Sequence, residues 1–592
     1  MTLKLSIALM ALGLAGAATS PVGATETDQS SPAVPAVTFA KAESSVTLIG
    51  QKAEATIENE IEALSTINKI LDKLNSPRAD GIDQQADQDL FDAVADAIDA
   101  IPGSKDFLEK RDNAALVSFY TDRNFRTAWF VNGEMTASAR KLAFALSRAD
   151  IDGLDPADFV TPSLSISRAS GSSPSEIAEA DIELSRAVTR YTRQAYAGRV
   201  DPRIFSKKVM TIKPHYPDSI EALKKIVRAD NPRTIMRSYN PDHRGFVALR
   251  KEYNRLRLAK SDSSTPSVPE GKSMKVGMRD TRVVLLRRKL GLAVPQQDAD
   301  LYSKEVSDKV EKFQADNGLI ADGIAGKATL AVLNKNPEDL IPDIIANMER
   351  WRWLPRDLGA FHIMVNIPSF HLEVTRNDKI IHETRVVVGK AQHKTPLFSD
   401  EMEYVVVNPY WNVPNSIAAN ELLPKIKSDP GSFFSSTNYQ VLASVKGRTQ
   451  VVDPAKLDWE KVEPGMVRLR QTPGTRNALG DVKFLFPNQH SVYLHDTPSR
   501  SLFNRDYRAF SHGCVRVQNP MDFADVILRQ TENWGSDRLK KMIGGDEKWV
   551  TLSKKIPVHL AYFTTWMSEN GTLQLRSDIY GHNAKVKKAL GF

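Results

Sequence analysis

The chain has 592 residues, 41% of them hydrophobic and 26% charged, with a formal net charge of +7. At about 100–200 residues per domain this length implies three or four domains, and the composition is that of a globular chain able to bury a core. Basic residues alternate with acidic ones and no Lys/Arg block stands out, which argues against nucleic acid as a partner. A mildly basic surface would also suit a polyanionic cell wall, but charge alone does not choose.

Residues 1–24 read as a secretory signal peptide. Lys4 gives a basic start, Leu5 to Ala18 an apolar run, and Val22-Gly23-Ala24 small residues at a cleavage position. That run is short of the roughly 20 residues a bilayer requires, so the expected mature chain has no transmembrane span. Residues 25–87 form a flexible Ser/Thr/Pro/Ala-rich leader with one amphipathic helix, in which Ile57, Ile61, Leu64, Ile67, Ile70, Leu71 and Leu74 recur at helical spacing before Pro77.

Residues 88–260 read as a helical scaffold: Leu every three or four positions, Ala-rich stretches at 137–148 and 177–197, and a turn at Asp152-Gly153-Leu154-Asp155-Pro156. Its acidic residues have solvent-face spacing, and nothing in it looks catalytic. A Ser/Pro/Gly-rich linker follows at 261–273. Residues 274–335 give three short helices with apolar faces at Leu285, Leu286 and Leu290, at Val306, Val310 and Phe313, and at Leu330 and Leu333. With Phe313-Gln314, Gly318-Leu319, Asp322-Gly323 and Gly326 at these intervals, the unit resembles the small three-helix peptidoglycan-binding module. A connecting helix is expected at 336–360.

From 361 to 592 the pattern changes to strands. Phe361 to Asn366, Arg385 to Gly389, Tyr404 to Val407 and Ser491 to His495 are β-rich runs bounded by turn residues. Val558 to Trp566 and Thr572 to Leu575 flank Asn570-Gly571, which favours a tight hairpin. Residues 417–480 carry five prolines mixed with charges and read as a cap inserted between strands. The expected fold is multidomain α+β: helical scaffold, three-helix module, and a mainly β, sandwich-like domain with an inserted cap.

Cys514 is the only cysteine, so no internal disulfide forms, and a lone thiol in an exported protein needs a role. It lies in Ser511-His512-Gly513-Cys514-Val515-Arg516, with His495 upstream. An imidazole that takes the thiol proton makes a nucleophile. His495, ending a strand, is the better base; His512, two residues before Cys514, would share its face if the segment is extended. Spacing alone leaves that choice open. Gly513 lets substrate approach the backbone, and N–H groups around Gly513 and Cys514 are candidates to hold an oxyanion. Arg516 would share the Cys514 face if the segment is extended, and would either clamp a substrate carboxylate or position a backbone group. Asn519-Pro520 reads as a helix cap with Pro at the first helical position. A plain buried cysteine is the bland alternative. A metal site lacks a second Cys or a His-Glu-x-x-His pattern.

The segment Ser511 to Arg516 with His495 upstream resembles the signature of the L,D-transpeptidase catalytic domain. Asn408-Pro409-Tyr410-Trp411-Asn412-Val413-Pro414, Pro473-Gly474, Asn477-Ala478-Leu479-Gly480 and Met348 to Pro355 add to the likeness, which is to the large periplasmic Gram-negative members. The resemblance implies Cys514 as nucleophile, and His495 as proton donor and acceptor held by the backbone carbonyl of Asp496. Ser511, His512, Gly513 and Arg516 would line the site; Tyr410 and Trp411 read equally as aromatic walls for a sugar or peptide and as buried core. It implies a thioester acyl-enzyme from tetrapeptide stems, release of D-alanine, 3→3 cross-links to a diaminopimelate acceptor, acylation by carbapenems, no cofactor and no metal. It also implies a periplasmic location, with peptidoglycan stem peptides and cell-wall synthesis proteins as partners. An L,D-carboxypeptidase, an enzyme attaching a lipoprotein to the wall, and a non-catalytic wall-binding scaffold are the alternatives.

Overall fold

The helix Pro174–Ala197 shows how local sequence sets the N-terminal half. Ser173 and Glu176 close a capping box, Pro174 sits in the first turn, and Gly198 ends the helix. In the computed structural model, which describes residues 84–160, 172–258, 266–445 and 447–592, this helix packs with neighbours such as Gln84–Asp99, Phe107–Asp122 and Ser219–Val227. The export signal expected at 1–24, the leader helix expected at 57–74 and the start of the expected linker lie outside the described residues. Among the described residues no helix is long and apolar enough to cross a membrane.

Three helices, Arg282–Lys289, Lys304–Asp316 and Lys327–Leu333, follow. They bury Val283, Leu286, Leu290, Val306, Val310, Leu330 and Leu333 in a core of their own. Gln314, in the sequence pattern of this unit, is buried and holds its last turn: it accepts from the Gly323 N–H at 2.9 Å and donates to the Ile324 carbonyl at 2.9 Å.

The helix Pro337–Trp353 then joins the two halves. The charged residues of its C-terminal half, Glu349, Arg350 and Arg352, are buried. Arg352 donates to the Asp152 carbonyl and to Asn240 on the helical side. Arg350 donates to Asn583, and Asn347 exchanges bonds with Thr564, on the strand side. Trp351 stacks on Phe563 with ring centroids 4.4 Å apart.

The C-terminal region is mainly β. Strands β1 (Phe361–Asn366), β2 (His371–Arg376), β3 (Lys379–Gly389) and β4 (Phe398–Val407) come first. A subdomain follows with β5 (Trp411–Asn412), β6 (Tyr439–Val445), β7 (Arg448–Val452) and β8 (Arg468–Gln471). Then come β9 (Val482–Leu485), β10 (Leu494–His495), β11 (Ala509–Ser511), β12 (Val515–Val517), β13 (Lys548–Ala561), β14 (Thr565–Met567) and β15 (Leu573–Leu575). The main sheet runs β11-β3-β12-β10-β9-β4-β13-β1-β2, and β2 also pairs with β3. The two faces of the expected sandwich thus belong to one sheet that curls until its ends meet. Inside it lie Val386, Val388, Val405, Val407, Val482, Phe484, Leu494, Val515 and Val517, and the helix Pro520–Thr531 packs against the same cluster through Phe523, Ile527 and Leu528.

Several local expectations change. The run Ser491 to His495 is strand only at Leu494–His495, because Ser491 takes a left-handed φ of 54°. Val558 to Ala561 belong to β13, paired in parallel with β1; the hairpin around Gly571 uses Thr565–Met567 and Leu573–Leu575. Asn519 caps its helix from a left-handed conformation without a side-chain bond, although Pro520 does open the helix. The inserted cap starts earlier than residue 417. Its four-stranded sheet, β5-β8-β6-β7, begins at Trp411, and its core includes Val413 with Leu422, Ile426, Val441, Trp459 and Leu469.

Candidate active site

Strand β3 organises the site. β11 runs parallel to its end, pairing Ala509 with Val388 and Ser511 with Gly389. β12 runs antiparallel to it, pairing Arg516 with Val387 and Val517 with Val386. The chain therefore crosses over the tip of β3 through His512, Gly513 and Cys514. Gly513 has a φ of 116°, open to glycine and strained for other residues. His512 is consequently not in an extended segment, and the expected two-residue alternation with Cys514 does not hold there.

The crossing is laced to its surroundings. The Ser511 hydroxyl donates to the Cys514 carbonyl at 2.5 Å and accepts from the Gly513 N–H at 3.1 Å. The Gly513 N–H, which the sequence suggests as an oxyanion donor, is thereby already engaged. Thr395 donates to the Gly513 carbonyl at 2.9 Å and accepts from the Gly389 N–H at 2.9 Å.

Alternation does hold beyond the crossing. β12 pairs in parallel with β10, Leu494 with Val515 and His495 with Arg516. Leu494 and Val515 face the core with no exposure. Cys514, Arg516, Tyr493 and His495 therefore share the opposite face. So does Lys483 of β9, which pairs with His495. His495 is buried at 4% exposure, and its Nδ1 lies 2.5 Å from the Asp496 carbonyl oxygen. A carbonyl only accepts, so Nδ1 carries the hydrogen and Nε2 is left with a lone pair. Burial, then the positive charges of Arg516 and Lys483, push the imidazole down to about 3, so it is neutral at ordinary pH.

Cys514 is half-buried and its thiol donates to the Ser491 carbonyl at 3.9 Å; it is not hydrogen-bonded to His495. Burial pushes the thiol up to about 11, against opposing contributions from Tyr493 and the Arg516 charge. The Arg516 Nε is buried without a hydrogen-bond partner. Tyr493, whose hydroxyl lies against both the sulfur and the Trp411 side chain, is held well above the ordinary tyrosine range by burial and then by Cys514. Trp411 is thus placed near the sulfur. Tyr410 instead stacks under Arg470 at 4.3 Å, with its N–H bonded to Glu547.

Sequence reading misses Tyr493, although it alternates with His495. It also misses Glu421, which the cap brings to 2.5 Å from His512 Nε2; no local pattern connects the two. The Asn477 to Gly480 motif fastens the cap at its root. Asn477, fully buried, donates to the Pro409 and Thr472 carbonyls, where the cap enters and leaves.

Comparison with known families decides the class of this region: the profile of the L,D-transpeptidase catalytic domain matches residues 360–539. The chain carries an L,D-transpeptidase catalytic domain. A peptidoglycan binding domain matches residues 286–333 and a scaffold domain residues 114–252. A curated Haemophilus influenzae protein named as an L,D-transpeptidase is 35% identical over 294 residues, which are 48% of this chain and 57% of that protein. The chain thus spans a little over half the length of this relative. Among solved structures, an L,D-transpeptidase from Mycobacterium smegmatis aligns at 13% identity with a TM-score of 0.17, over 34% of this chain and 58% of that one. Another, from Xylanimonas cellulosilytica, aligns at 13% identity with a TM-score of 0.16, over 49% of this chain and 98% of that one.

Proposed function

We propose that the protein is a cysteine-dependent peptidoglycan L,D-transpeptidase that forms 3→3 cross-links in the periplasm. The observation that carries this reading is a neutral His495, fixed by the Asp496 carbonyl with Nε2 free, on the same sheet face as Cys514 in a matching catalytic domain.

Rotation about the Cys514 side chain carries the sulfur away from the Ser491 carbonyl and along the face where His495 stands. Nε2 takes the thiol proton as sulfur attacks the carbonyl carbon of the third residue of a tetrapeptide stem. The Cys514 N–H, which has no partner in the crossing, is positioned to hold the developing oxyanion in place of the engaged Gly513 N–H. Collapse breaks the C–N bond, D-alanine leaves with the proton from His495, and a thioester remains. The side-chain amine of a second stem then attacks the thioester, giving its proton to His495, and the sulfur leaves as the thiol. The half-buried Arg516 favours the transient thiolate. The module matched at 286–333 supports a peptidoglycan substrate. The basic, apolar and small-residue run of 1–24 supports export, and cell-wall synthesis proteins are the partners such a location offers.

The test is incubation of the mature protein with tetrapeptide muropeptides. Dimers with 3→3 links and free D-alanine are expected, and tripeptide alone would assign water as the acceptor. Cys514→Ala should retain wall binding and yield no product; cross-linking by that variant at the wild-type rate would sink the mechanism.

A further inference from the structure

Two nitrogen donors stand beside the nucleophile with no role in the proton transfer described above. Lys390 follows the end of β3, and His512 lies in the crossing two residues before Cys514. The Lys390 Nζ is 3.3 Å from His512 Nε2. The same Nε2 lies 2.5 Å from Oε1 of Glu421, on the π-helical turn Ala418–Leu422 of the cap. A carboxylate only accepts, so Nε2 carries a hydrogen directed at Glu421, and an ammonium only donates. Lys390 and His512 are therefore not bonded to each other. They are adjacent donors, and of the two Glu421 bonds His512; Lys390 has no carboxylate ion pair among the described residues.

We propose that Lys390 and His512 form a carboxylate-binding subsite, that Glu421 of the cap occupies half of it in the free protein, and that a carboxylate of the donor stem peptide displaces Glu421 on binding. This rests on the donor assigned above. The nitrogen spacing lets each oxygen of one carboxylate take one donor, a paired arrangement stronger than either bond alone. The position suits such a ligand, because His512 is covalently within two residues of the sulfur, so an anchored carboxylate holds a nearby peptide carbonyl at Cys514. Glu421 is suited to leaving: its side chain is 42% exposed, and solvent competes for the contacts of an exposed carboxylate. The cap thereby senses the substrate through a charge it must give up.

The test compares two reactions of Cys514 in the full chain. A carbapenem carries a ring carboxylate and acylates a thiol by opening its lactam C–N bond, with the nitrogen taking the proton. Iodoacetamide carries no carboxylate. The quantity read is the ratio of the two second-order rates. Glu421→Gln should raise the ratio about threefold by removing the competing charge. Lys390→Met should lower it about tenfold by removing a charged donor. Ratios unchanged in both variants overturn the subsite. So does a rise of both rates in parallel in Glu421→Gln, which would make the contact a simple cover. Absence of any carbapenem adduct on the wild-type protein would instead overturn the acyl-enzyme reading itself.

Discussion

Gly389→Ala should disable the site without touching a reacting group. Gly389 lies where the crossing passes over the tip of β3. A methyl built there would sit 2.0 Å from the His393 carbonyl oxygen, 2.8 Å from the Thr395 nitrogen and 3.1 Å from the Gly513 Cα. Ordinary contacts to carbon begin near 3.5 Å, so the worst overlap exceeds about 1 Å, and every atom met is backbone. Relief requires the 393–395 turn or the crossing to move. Thr395 links the two, accepting from Gly389 and donating to Gly513, each at 2.9 Å. Overpacking of this kind costs about 1–3 kcal/mol, and each of the two bonds about 1 kcal/mol more, so a total near 3–5 kcal/mol is expected. A crossing displaced by about 1 Å should slow chemistry about 100-fold. Acylation of Cys514 by a carbapenem, followed by intact mass, reads the rate, and denaturant unfolding reads the stability. Gly103→Ala, where an added methyl meets nothing within 4 Å, is the control. Acylation of Gly389→Ala within about threefold of wild type, with an unchanged midpoint, would refute the argument that this glycine exists to let the crossing pass.

Two further outcomes follow from buried charge. His495, His559 and His582 are buried, and desolvation holds them down to about 3, 4 and 3; the unfolded chain therefore binds more protons below the ordinary value near 6.5. Their contribution is full above about pH 6.5 and is lost as pH falls toward 3–4, by up to about 1.4 kcal/mol per unit for each group; an unfolding midpoint that stays flat from pH 7 to 5 would contradict this. Glu349→Ala should destabilise by about 3–5 kcal/mol, because it removes the carboxylate 3.7 Å from the Arg352 guanidinium, whose side chain has 0% exposure. Glu349→Leu with Arg352→Met should recover most of that loss; thermal unfolding checks both, and a single variant within about 1 kcal/mol of wild type would refute the pairing.

Residues whose role is set by their neighbours in sequence are legible without the fold. Phe361–Asn366 is a strand with the expected ends, since an apolar β-branched run between turn residues has few other uses. The Cys514 segment and His495 stand out because a lone thiol near imidazole carries chemistry in its composition. What stays hidden depends on distant pairing. His512 reads as part of an extended face because no local pattern shows that β11 and β12 both bind β3, more than a hundred residues earlier. The Gly513 N–H reads as free because nothing in the sequence marks the Ser511 hydroxyl as its partner. Glu349, Arg350 and Arg352 carry no signal beyond their likeness to a family phrase. Charged residues in a helix do not announce burial; here they bond to backbone and side chains on both sides of the junction.

The resting site poses a problem that its geometry answers. A thiol pushed up to about 11 beside an imidazole pushed down to about 3 does not exchange a proton spontaneously. The same burial that disfavours both charges keeps the lone cysteine protonated, and therefore unreactive toward stray oxidants, since the thiolate is the reactive form. Reaction then requires something that changes the balance at the moment of attack. In the proposed reaction the C–S bond forms as the proton leaves and the charge passes to the carbonyl oxygen, so a full charge on sulfur need not accumulate. Arg516, its Nε without a partner, lies on the same face to favour what charge does develop. A buried guanidinium nitrogen without a hydrogen-bond partner is otherwise a cost. Its retention beside a neutral thiol and a neutral imidazole fits a pair assembled for transfer during attack and not for an ion pair at rest.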